Sequence, residues 1–244
     1  MTWLYDGSFE GFLTALHRSY THKNIPEILT SEASTLTLLS EHVRIETNHE
    51  VAQKVSKSIA EKFPKKIIER IYHVFLCDDM SRERELLIYI RMGFKDLRLF
   101  DDLTQPVVYT IEQHQKRLFS TIHKMFAFIR FEMLEDGLLY AKIAPPRNVL
   151  PLLGKHFVKR LGPERFIIHD ITRGWIVVYD GKSLQMHEVL DASVPRMHED
   201  EKQFQKLWRT FFHTVAIESR NNHKVQRNFV PLLYRKLMTE FNTK

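Results

Sequence analysis

The alternation of apolar and polar positions changes character along the chain, from a helical pattern to a strand pattern. Between residues 49 and 125, apolar residues recur every three or four positions, which is the spacing of one buried helix face. Pro64 ends the first stripe and suits the first turn of the next helix, while Ser81 or Asp79 is placed to cap the third, with Gly93 closing it. Four helices forming a bundle-like layer are therefore predicted, at about 49–63, 64–75, 81–93 and 104–125.

Residues 126–189 are typical of strands instead. Aromatic and β-branched runs are cut by Asp136-Gly137 and Asp180-Gly181, which are turn signals of antiparallel hairpins. A helix interrupts them, with Asn148 as its predicted N-cap and Gly162 as its end. Strands are predicted at 126–131, 137–143, 166–170, 175–179 and 184–189.

The two ends of the chain add smaller elements. A short strand at 3–5 precedes a helix at 9–20, and 43–47 alternates like a strand. A strand so far from other strands needs partners, so we expect 3–5 to join the sheet of 126–189. Helices are predicted at 199–220 and 231–241, with a basic connector at 220–227 between them.

These elements predict an α+β fold, with a mostly antiparallel sheet, a helical layer and C-terminal helices. The chain of 244 residues is long enough for one domain covering 1–244. The alternative is two subdomains, with a helical subdomain at 49–125 and the sheet and C-terminal helices at 126–244.

Charge is distributed unevenly along the chain. Residues 1–125 carry 17 Lys and Arg against 17 Asp and Glu, whereas residues 126–244 carry 19 against 13, so the net charge of +6 lies in the second part. The segment 202–236 alone holds eight basic residues and one acidic residue. Clustered cations indicate a polyanion partner such as DNA, although an ordinary solvated basic surface would give the same composition.

The candidate nucleic-acid contacts are therefore drawn from this basic part. The first turn of the helix near Asn148 leaves backbone N–H groups that suit an anion, with Arg147 beside them. The full set of candidates is Arg130, Arg147, Asn148, Lys155, Lys159, Arg160, Arg173, Arg209, Arg220, Asn222 and Arg227.

Several kinds of chemistry have no motif in this sequence. Cys77 is the only cysteine, so disulfides, thiolate metal clusters and a radical-type iron–sulfur cluster are not expected. The eight glycines form no phosphate-binding loop, and no two histidines are three or four residues apart as a helical metal pair requires. We expect no metal, no cofactor and no membrane span, because apolar runs stay far below the roughly 20 residues that a bilayer needs. The cytoplasm is the expected compartment.

Four residues remain as weak catalytic candidates: His123, His156, His169 and Asp170. A His–Asp pair could perform general acid–base work if the chain folded them together. His169 and Asp170 are consecutive in a predicted strand, however, and should point to opposite faces. A structural role for each histidine is the alternative.

A string of short segments carries a resemblance to a known family. The segments are Leu4–Gly11, His123–Met125, Phe128–Phe131, Leu139–Ala141, Asn148–Pro151, His156–Phe157, Ile168–Asp170 with Arg173, Tyr179–Gly181, Leu207–Arg209, Ile217 with Arg220 and Asn222, Gln226–Pro231, and Thr239–Phe241. Through them the chain resembles a bacterial family described as DNA metabolism or DNA repair proteins, and otherwise as a domain of unknown function. One departure is Ala144-Pro145, where an acidic residue is expected before the proline.

The resemblance implies an association with DNA repair proteins but no particular reaction. Members of that family neighbour a radical SAM protein assigned to DNA repair, and in some genomes the domain precedes a uracil-DNA glycosylase-like domain. The glycosylase motifs themselves are absent from this sequence, so uracil excision by that route is not expected.

Three functions follow from these observations. The first is a nucleic-acid-binding accessory module of a DNA repair system, acting with the radical SAM partner. The second is an enzyme on nucleic acid that uses the His/Asp candidates. The third is an adaptor that holds the radical SAM partner without touching DNA.

Overall fold

The computed structural model describes residues 2–21, 25–26, 28–30, 42–79, 81–189 and 196–242. The chain divides into two compact units, Met1–Phe119 and Ser120–Lys244, called here the N-terminal and C-terminal units. One long helix, Pro106–Phe128, contains residues of both units.

The N-terminal unit combines a small sheet with helices. Its strands are β1 (Thr2–Leu4), β2 (Ile28–Thr30) and β3 (His42–Arg44), and its helices are α1 (Phe9–Thr21), α2 (His49–Lys62), α3 (Lys65–Phe75), α4 (Arg82–Lys95) and the start of α5 (Pro106–Phe128). Ser81 occupies the N-cap position of α4, but its side chain makes no capping hydrogen bond. The predicted helices are nevertheless confirmed, and some begin at a side-chain cap. Asn48, for example, accepts a hydrogen bond from Val51 N at the start of α2.

The partners of β1 differ from the prediction. In the structure β1 lies between β2 and β3 and pairs with both in parallel, in the order β2-β1-β3. The expectation that residues 3–5 join the later sheet is wrong, because segments closer in sequence supply both edges of β1.

The core of this unit is made of the inward helix faces. Phe12, Leu86, Tyr89 and Ile111 are completely buried there. Gly93 lies inside α4 rather than closing it, contrary to the prediction, because the Phe100 ring fills the space beside its Cα.

The C-terminal unit contains a five-stranded sheet and shorter helices. Its strands are β4 (Glu132–Met133), β5 (Leu139–Ile143), β6 (Phe166–Asp170), β7 (Trp175–Tyr179) and β8 (Leu184–Glu188). Its helices are the end of α5, α6 (Leu150–Leu161), α7 (Glu201–Thr214), α8 (His223–Phe229) and α9 (Leu232–Arg235), with 3₁₀ turns at Glu218–Arg220 and Thr239–Phe241.

The five strands lie in sequence order, β4-β5-β6-β7-β8. The β5–β6 pair is parallel because α6 connects the two strands, whereas the other three pairs are antiparallel. The α+β fold class is confirmed, and this sheet is mixed but mostly antiparallel, as predicted.

Helix α6 covers one face of this sheet. Gly154 packs so closely there that a methyl group would lie 2.9 Å from Val177 Cγ1. Val177 pairs with Ile168, and Ile168 with Ala141, so these three side chains share the covered face. Lys142 and His169 pair with each other and point to the opposite face.

The two helices predicted at the C-terminus are shorter than expected. The helix predicted at 199–220 ends at Thr214, and the one predicted at 231–241 consists of Leu232–Arg235 and a 3₁₀ turn at Thr239–Phe241.

Three other local predictions in this unit are wrong. Residues 126–128 continue α5 and 129–131 are irregular, because Ile122, Met125 and Ile129 extend the buried helical stripe and override the strand propensity. Asn148 does not cap α6, which begins one residue later with Val149 at the N-cap. The connector at 220–227 is largely helix α8. The loop predicted at 191–199 falls partly on residues 191–195, outside the described residues.

Candidate functional site

Arg130, a predicted phosphate contact, is already engaged within the C-terminal unit. Its Nη2 lies 2.5 Å from Glu240 Oε1, and its Nη1 donates to the carbonyl oxygen of Ala127 at 2.8 Å. The guanidinium also lies 5.6 Å from the centre of the Trp208 ring. Hydrogen bonds from Arg130 hold the pKa of the Glu240 carboxyl below its usual value, against the effect of burial, which raises it and is the largest single cause. Arg130 therefore fixes the C-terminal segment to the end of α5.

Arg173 has a similar structural role. It stands at the tip of the β6–β7 hairpin, as predicted, and its Nη1 donates to Asp170 Oδ2 at 2.8 Å and to the carbonyl oxygen of Pro145 at 3.1 Å. Asp170 is fully buried and also accepts from the backbone N–H of Thr172. The pair organises the turn.

A basic pocket lies on the face of the sheet opposite α6. It has a volume of about 190 Å³, and its cations come from widely separated parts of the chain. Lys142 belongs to β5, Arg209 to α7, and Lys236 follows α9. None of these three forms a salt bridge in the described part of the chain, although Lys142 interacts electrostatically with Glu132. The remaining lining residues are Arg130, Glu132, Met197, Gln205, Leu237, Thr239 and Asn242.

Glu132 is the one carboxylate that lines this basic pocket. Burial, as the largest cause, and the neighbouring Glu201 carboxylate raise the pKa of Glu132, while Lys142 lowers it. Gln205 Nε2 donates to Glu132 Oε1 at 3.2 Å, which ties the floor of the pocket to α7. With Arg130 balanced by Glu240, positive charge from Lys142, Arg209 and Lys236 exceeds the negative charge of Glu132. The pocket therefore suits an anion.

An apolar groove adjoins the basic pocket. It has a volume of about 610 Å³ and shares Arg130, Gln205 and Thr239 with the basic pocket as lining residues. One wall is α7, and the other is formed near β4 and the start of β5. The apolar and aromatic lining residues are Phe131, Met133, Leu139, Phe204, Leu207, Trp208 and Phe211, and Glu201 completes the lining.

The aromatic residues of α7 differ in their freedom. Trp208 is held by a hydrogen bond from its Nε1 to Glu240 Oε2 at 3.2 Å, with Arg130 and Phe211 close to its ring. Phe204 and Phe211 are seven residues apart, on one side of the helix, and are 57% and 56% exposed. Exposed aromatic residues at this spacing make a surface available to a ligand.

The structure does not gather the four catalytic candidates into one site. His123 is exposed on α5, and His156 of α6 stacks on Phe126 at 3.6 Å between ring centres. His169 Nδ1 and the Tyr140 hydroxyl are hydrogen-bonded at 2.7 Å, while Asp170 points to the other face, as predicted. No hydrogen bond of the described residues joins any two of these four.

Burial and nearby cations make protonation of two of these histidines less favourable. Burial, then Arg160 and Lys159, lowers the pKa of His156. Burial is also the largest cause that lowers the pKa of His169, with Lys142 acting in the same direction and Asp170 opposing both. Both imidazoles are therefore favoured in the neutral form.

The other predicted contacts are dispersed over the C-terminal unit. Arg147 Nη1 donates to Thr121 Oγ1 at 3.4 Å, Asn148 is half-buried, and Asn222 caps α8 by accepting from Val225 N. The exposed members are Lys155, Lys159 and Arg160 on α6, with Arg220 and Arg227 near α8. Of the predicted set, Arg209 and Arg130 line the basic pocket.

Lys142 and Lys236 are not among the site residues predicted from the sequence. Strand alternation indicated the face of Lys142 but not what packs over that face. Nothing in the local pattern of residues 231–241 connects Lys236 with Lys142, which is more than 90 residues away. The aromatic residues of α7 looked like ordinary core positions.

The comparison with known families gives the chain its one assignment. Residues 80–240, about two thirds of the chain, match a domain of unknown function, DUF4130. The chain belongs to the DUF4130 family. The comparison with curated proteins found no match, and neither did the comparison with solved structures.

The DUF4130 match includes every lining residue of the apolar groove and all those of the basic pocket except Asn242. Within the described part of this DUF4130 protein, no helix is both long and apolar enough to cross a bilayer. The same residues contain no group of three or more His, Cys, Asp or Glu side chains arranged to hold a metal ion.

Proposed function

We propose that this DUF4130 protein is a nucleic-acid-binding accessory module of a DNA repair or DNA metabolism system, and that the basic pocket binds a backbone phosphate. The observation that carries the proposal is the convergence of Lys142, Arg209 and Lys236 on one cavity of about 190 Å³. The resemblance described above supports DNA as the nucleic acid and a radical SAM protein as the partner.

Phosphate is the anion that this arrangement suits best. Lysine ammonium groups and an arginine guanidinium donate charge-assisted hydrogen bonds to phosphate oxygens. Such contacts release the counterions condensed on the nucleic acid, so they contribute affinity that falls as salt rises. Phosphate contacts also position a protein on the strand without reading its sequence, as expected of an accessory module.

A charge-neutralising variant tests the proposal. Lys142→Gln, Arg209→Gln and Lys236→Gln together remove three cations of the basic pocket, whose charge exceeds that of its one carboxylate, Glu132. We expect DNA affinity to fall, and the slope of log K against log salt to become shallower by about 2 to 3, because each lost phosphate contact contributes about 0.7 to 0.9 to that slope. Fluorescence anisotropy over a salt series measures both quantities.

The matched control removes the same number of charges from the other face of the sheet. Lys155→Gln, Lys159→Gln and Arg160→Gln change three exposed residues of α6, and the slope should change much less. Equal losses in both variants would show non-specific attraction to a basic surface and contradict the proposal. A protein that binds no DNA but co-purifies with the radical SAM partner would favour the adaptor instead.

A further inference from the structure

We infer that the apolar groove takes an unstacked nucleobase while the basic pocket takes a phosphate of the same strand, so that the ligand is single-stranded nucleic acid. This inference rests on the proposed function and specifies its substrate class. It depends on two structural features besides charge. The two cavities adjoin each other, and aromatic residues of α7 are exposed.

The two cavities are neighbours because they share three lining residues, Arg130, Gln205 and Thr239. One cavity is lined mainly by aromatic and aliphatic side chains, and the other carries uncompensated positive charge. A nucleotide has the same division, with an aromatic base at one end and an anionic phosphate at the other. The pairing therefore matches one nucleotide of a strand better than it matches a free inorganic anion.

Phe204 and Phe211 offer the stacking surface. Both are more than half exposed, and both line the groove from the same side of α7. Trp208 lies between them with its indole N–H bonded to Glu240, so it supports the groove rather than moving into it. Base stacking on aromatic side chains tolerates any base, because every base has a π-face.

The groove geometry favours a single strand over a duplex. Bases within a duplex stack on one another, so a groove beside α7 can receive only a base that has left the stack. An acidic amphipathic helix of a partner protein is the other occupant that cations beside an apolar groove could accept. Three cations and one carboxylate in one small cavity leave a net positive charge that fits a compact phosphate better than carboxylates spread along a helix.

Three probes of about 12 nucleotides separate the contribution of the bases from that of the backbone. They are an oligothymidylate, an abasic strand of the same length and charge, and a duplex. We expect the oligothymidylate to bind about tenfold or more tightly than the abasic strand, because only the former has bases to stack. Phe204→Ala and Phe211→Ala should each lower the affinity for oligothymidylate about tenfold while leaving the salt slope unchanged.

Two further variants control for surface and folding effects. Phe229→Ala removes a more exposed phenyl ring, on α8, that does not line the groove, and it should leave affinity unchanged. Phe211→Tyr keeps an aromatic ring and should keep the affinity of the native protein. Circular dichroism confirms folding in each case, since both target rings are too exposed for their removal to open a core cavity.

The outcomes distinguish this inference from the proposed function. Equal binding of the abasic strand and oligothymidylate, both sensitive to the Lys142, Arg209 and Lys236 substitutions, would overturn the base groove and leave the phosphate pocket standing. Absence of binding to all three probes would overturn both. Displacement of the oligothymidylate by an acidic amphipathic peptide, with the phenylalanine variants affecting only the peptide, would assign the groove to a protein helix.

Discussion

The two units treat their charged residues in opposite ways. In the N-terminal unit the ionisable groups inside the fold face one another: His114 Nδ1 lies 2.7 Å from Asp79 Oδ2, and His114 Nε2 lies 2.7 Å from Glu85 Oε2. Arg82 likewise contacts Glu83 at 3.2 Å. In the C-terminal unit, Lys142, Arg209 and Lys236 converge on a cavity whose lining contains one carboxylate, that of Glu132.

The difference indicates that charged residues of the N-terminal unit stabilise its fold, whereas several of those in the C-terminal unit are available to bind a ligand. Internally paired charges specify and stabilise a fold, because removal of one partner leaves the other buried and uncompensated. Cations left unpaired beside exposed aromatic rings add little to stability and remain available to a ligand. Arg173 with Asp170 and Arg130 with Glu240 are exceptions within the C-terminal unit, and the second exception makes the comparison testable.

The largest effect on stability should come from breaking the pair formed by Arg130 and Glu240. Glu240→Ala leaves the Arg130 guanidinium without its carboxylate and the Trp208 indole N–H without its acceptor. We expect the free energy of unfolding of the C-terminal unit to fall by about 3 kcal/mol, the cost of breaking a largely buried ion pair. Chemical denaturation measures it. Glu199→Ala, an exposed carboxylate in the same unit, should change stability by less than about 0.5 kcal/mol.

An effect of intermediate size on stability should come from adding a methyl group at a closely packed glycine in each unit. Gly93→Ala would place its methyl carbon 1.8 Å from Phe100 Cζ, in the core of the N-terminal unit. We expect a loss of about 2 kcal/mol, because a buried aromatic ring must shift. Gly154→Ala places its methyl 2.9 Å from Val177 Cγ1 and 3.0 Å from Leu184 Cδ2, contacts less close than that in Gly93→Ala, and should cost less. Thermal denaturation of the two variants measures the difference, and a larger loss for Gly154→Ala would contradict this account.

The smallest expected effect concerns the pH dependence of stability, to which Glu83 in the N-terminal unit and His169 in the C-terminal unit should contribute with opposite signs. Burial raises the pKa of Glu83 above its usual 4.5, so the native N-terminal unit holds this proton more tightly than the unfolded chain does. Its contribution to stability is present below pH 4.5 and is lost as the pH rises through the raised pKa. Burial lowers the pKa of His169 below its usual 6.5, so its contribution is present above pH 6.5 and is lost as the pH falls through the lowered pKa.

Stability measured between about pH 4 and pH 8 checks both signs. Glu83→Gln should remove a component that decreases with rising pH, and His169→Gln should remove one that increases. Variants whose pH profiles both parallel that of the native protein would show that neither group is linked to folding.

The sequence predicted the elements well where a pattern is local. The helical stripes of α2, α3 and α5 and the hairpins around Gly174 and Gly181 are each determined by residues within a few positions of one another. It failed at residues 126–128, where the aromatic run has strand propensity but the buried stripe of α5 continues. At these positions the packing of the long helix overrides the strand propensity of the short segment, and that packing cannot be predicted from the segment alone.

The candidate site was harder to predict because its parts are distant in sequence. Arg130 resembled a free cation until the fold brought Glu240 to it across 110 residues. Lys142 and Lys236 carry no local signal of their shared pocket. A sequence gives the sign and amount of charge, whereas the fold decides which charges neutralise one another and which remain.

The two sheets also differ in when they can form during synthesis. The strands β4 to β8 lie in sequence order, so each can add to its predecessor as it leaves the ribosome. Strand β1 is the centre of its sheet, yet its partners are residues 28–30 and 42–44. One edge of β1 can pair once residues 28–30 have been translated, but the other edge stays unpaired until residues 42–44 follow. We therefore expect the N-terminal sheet to be the slower of the two to assemble, and its unpaired central strand to be the point at which nascent chains are most open to chaperones or to association with each other.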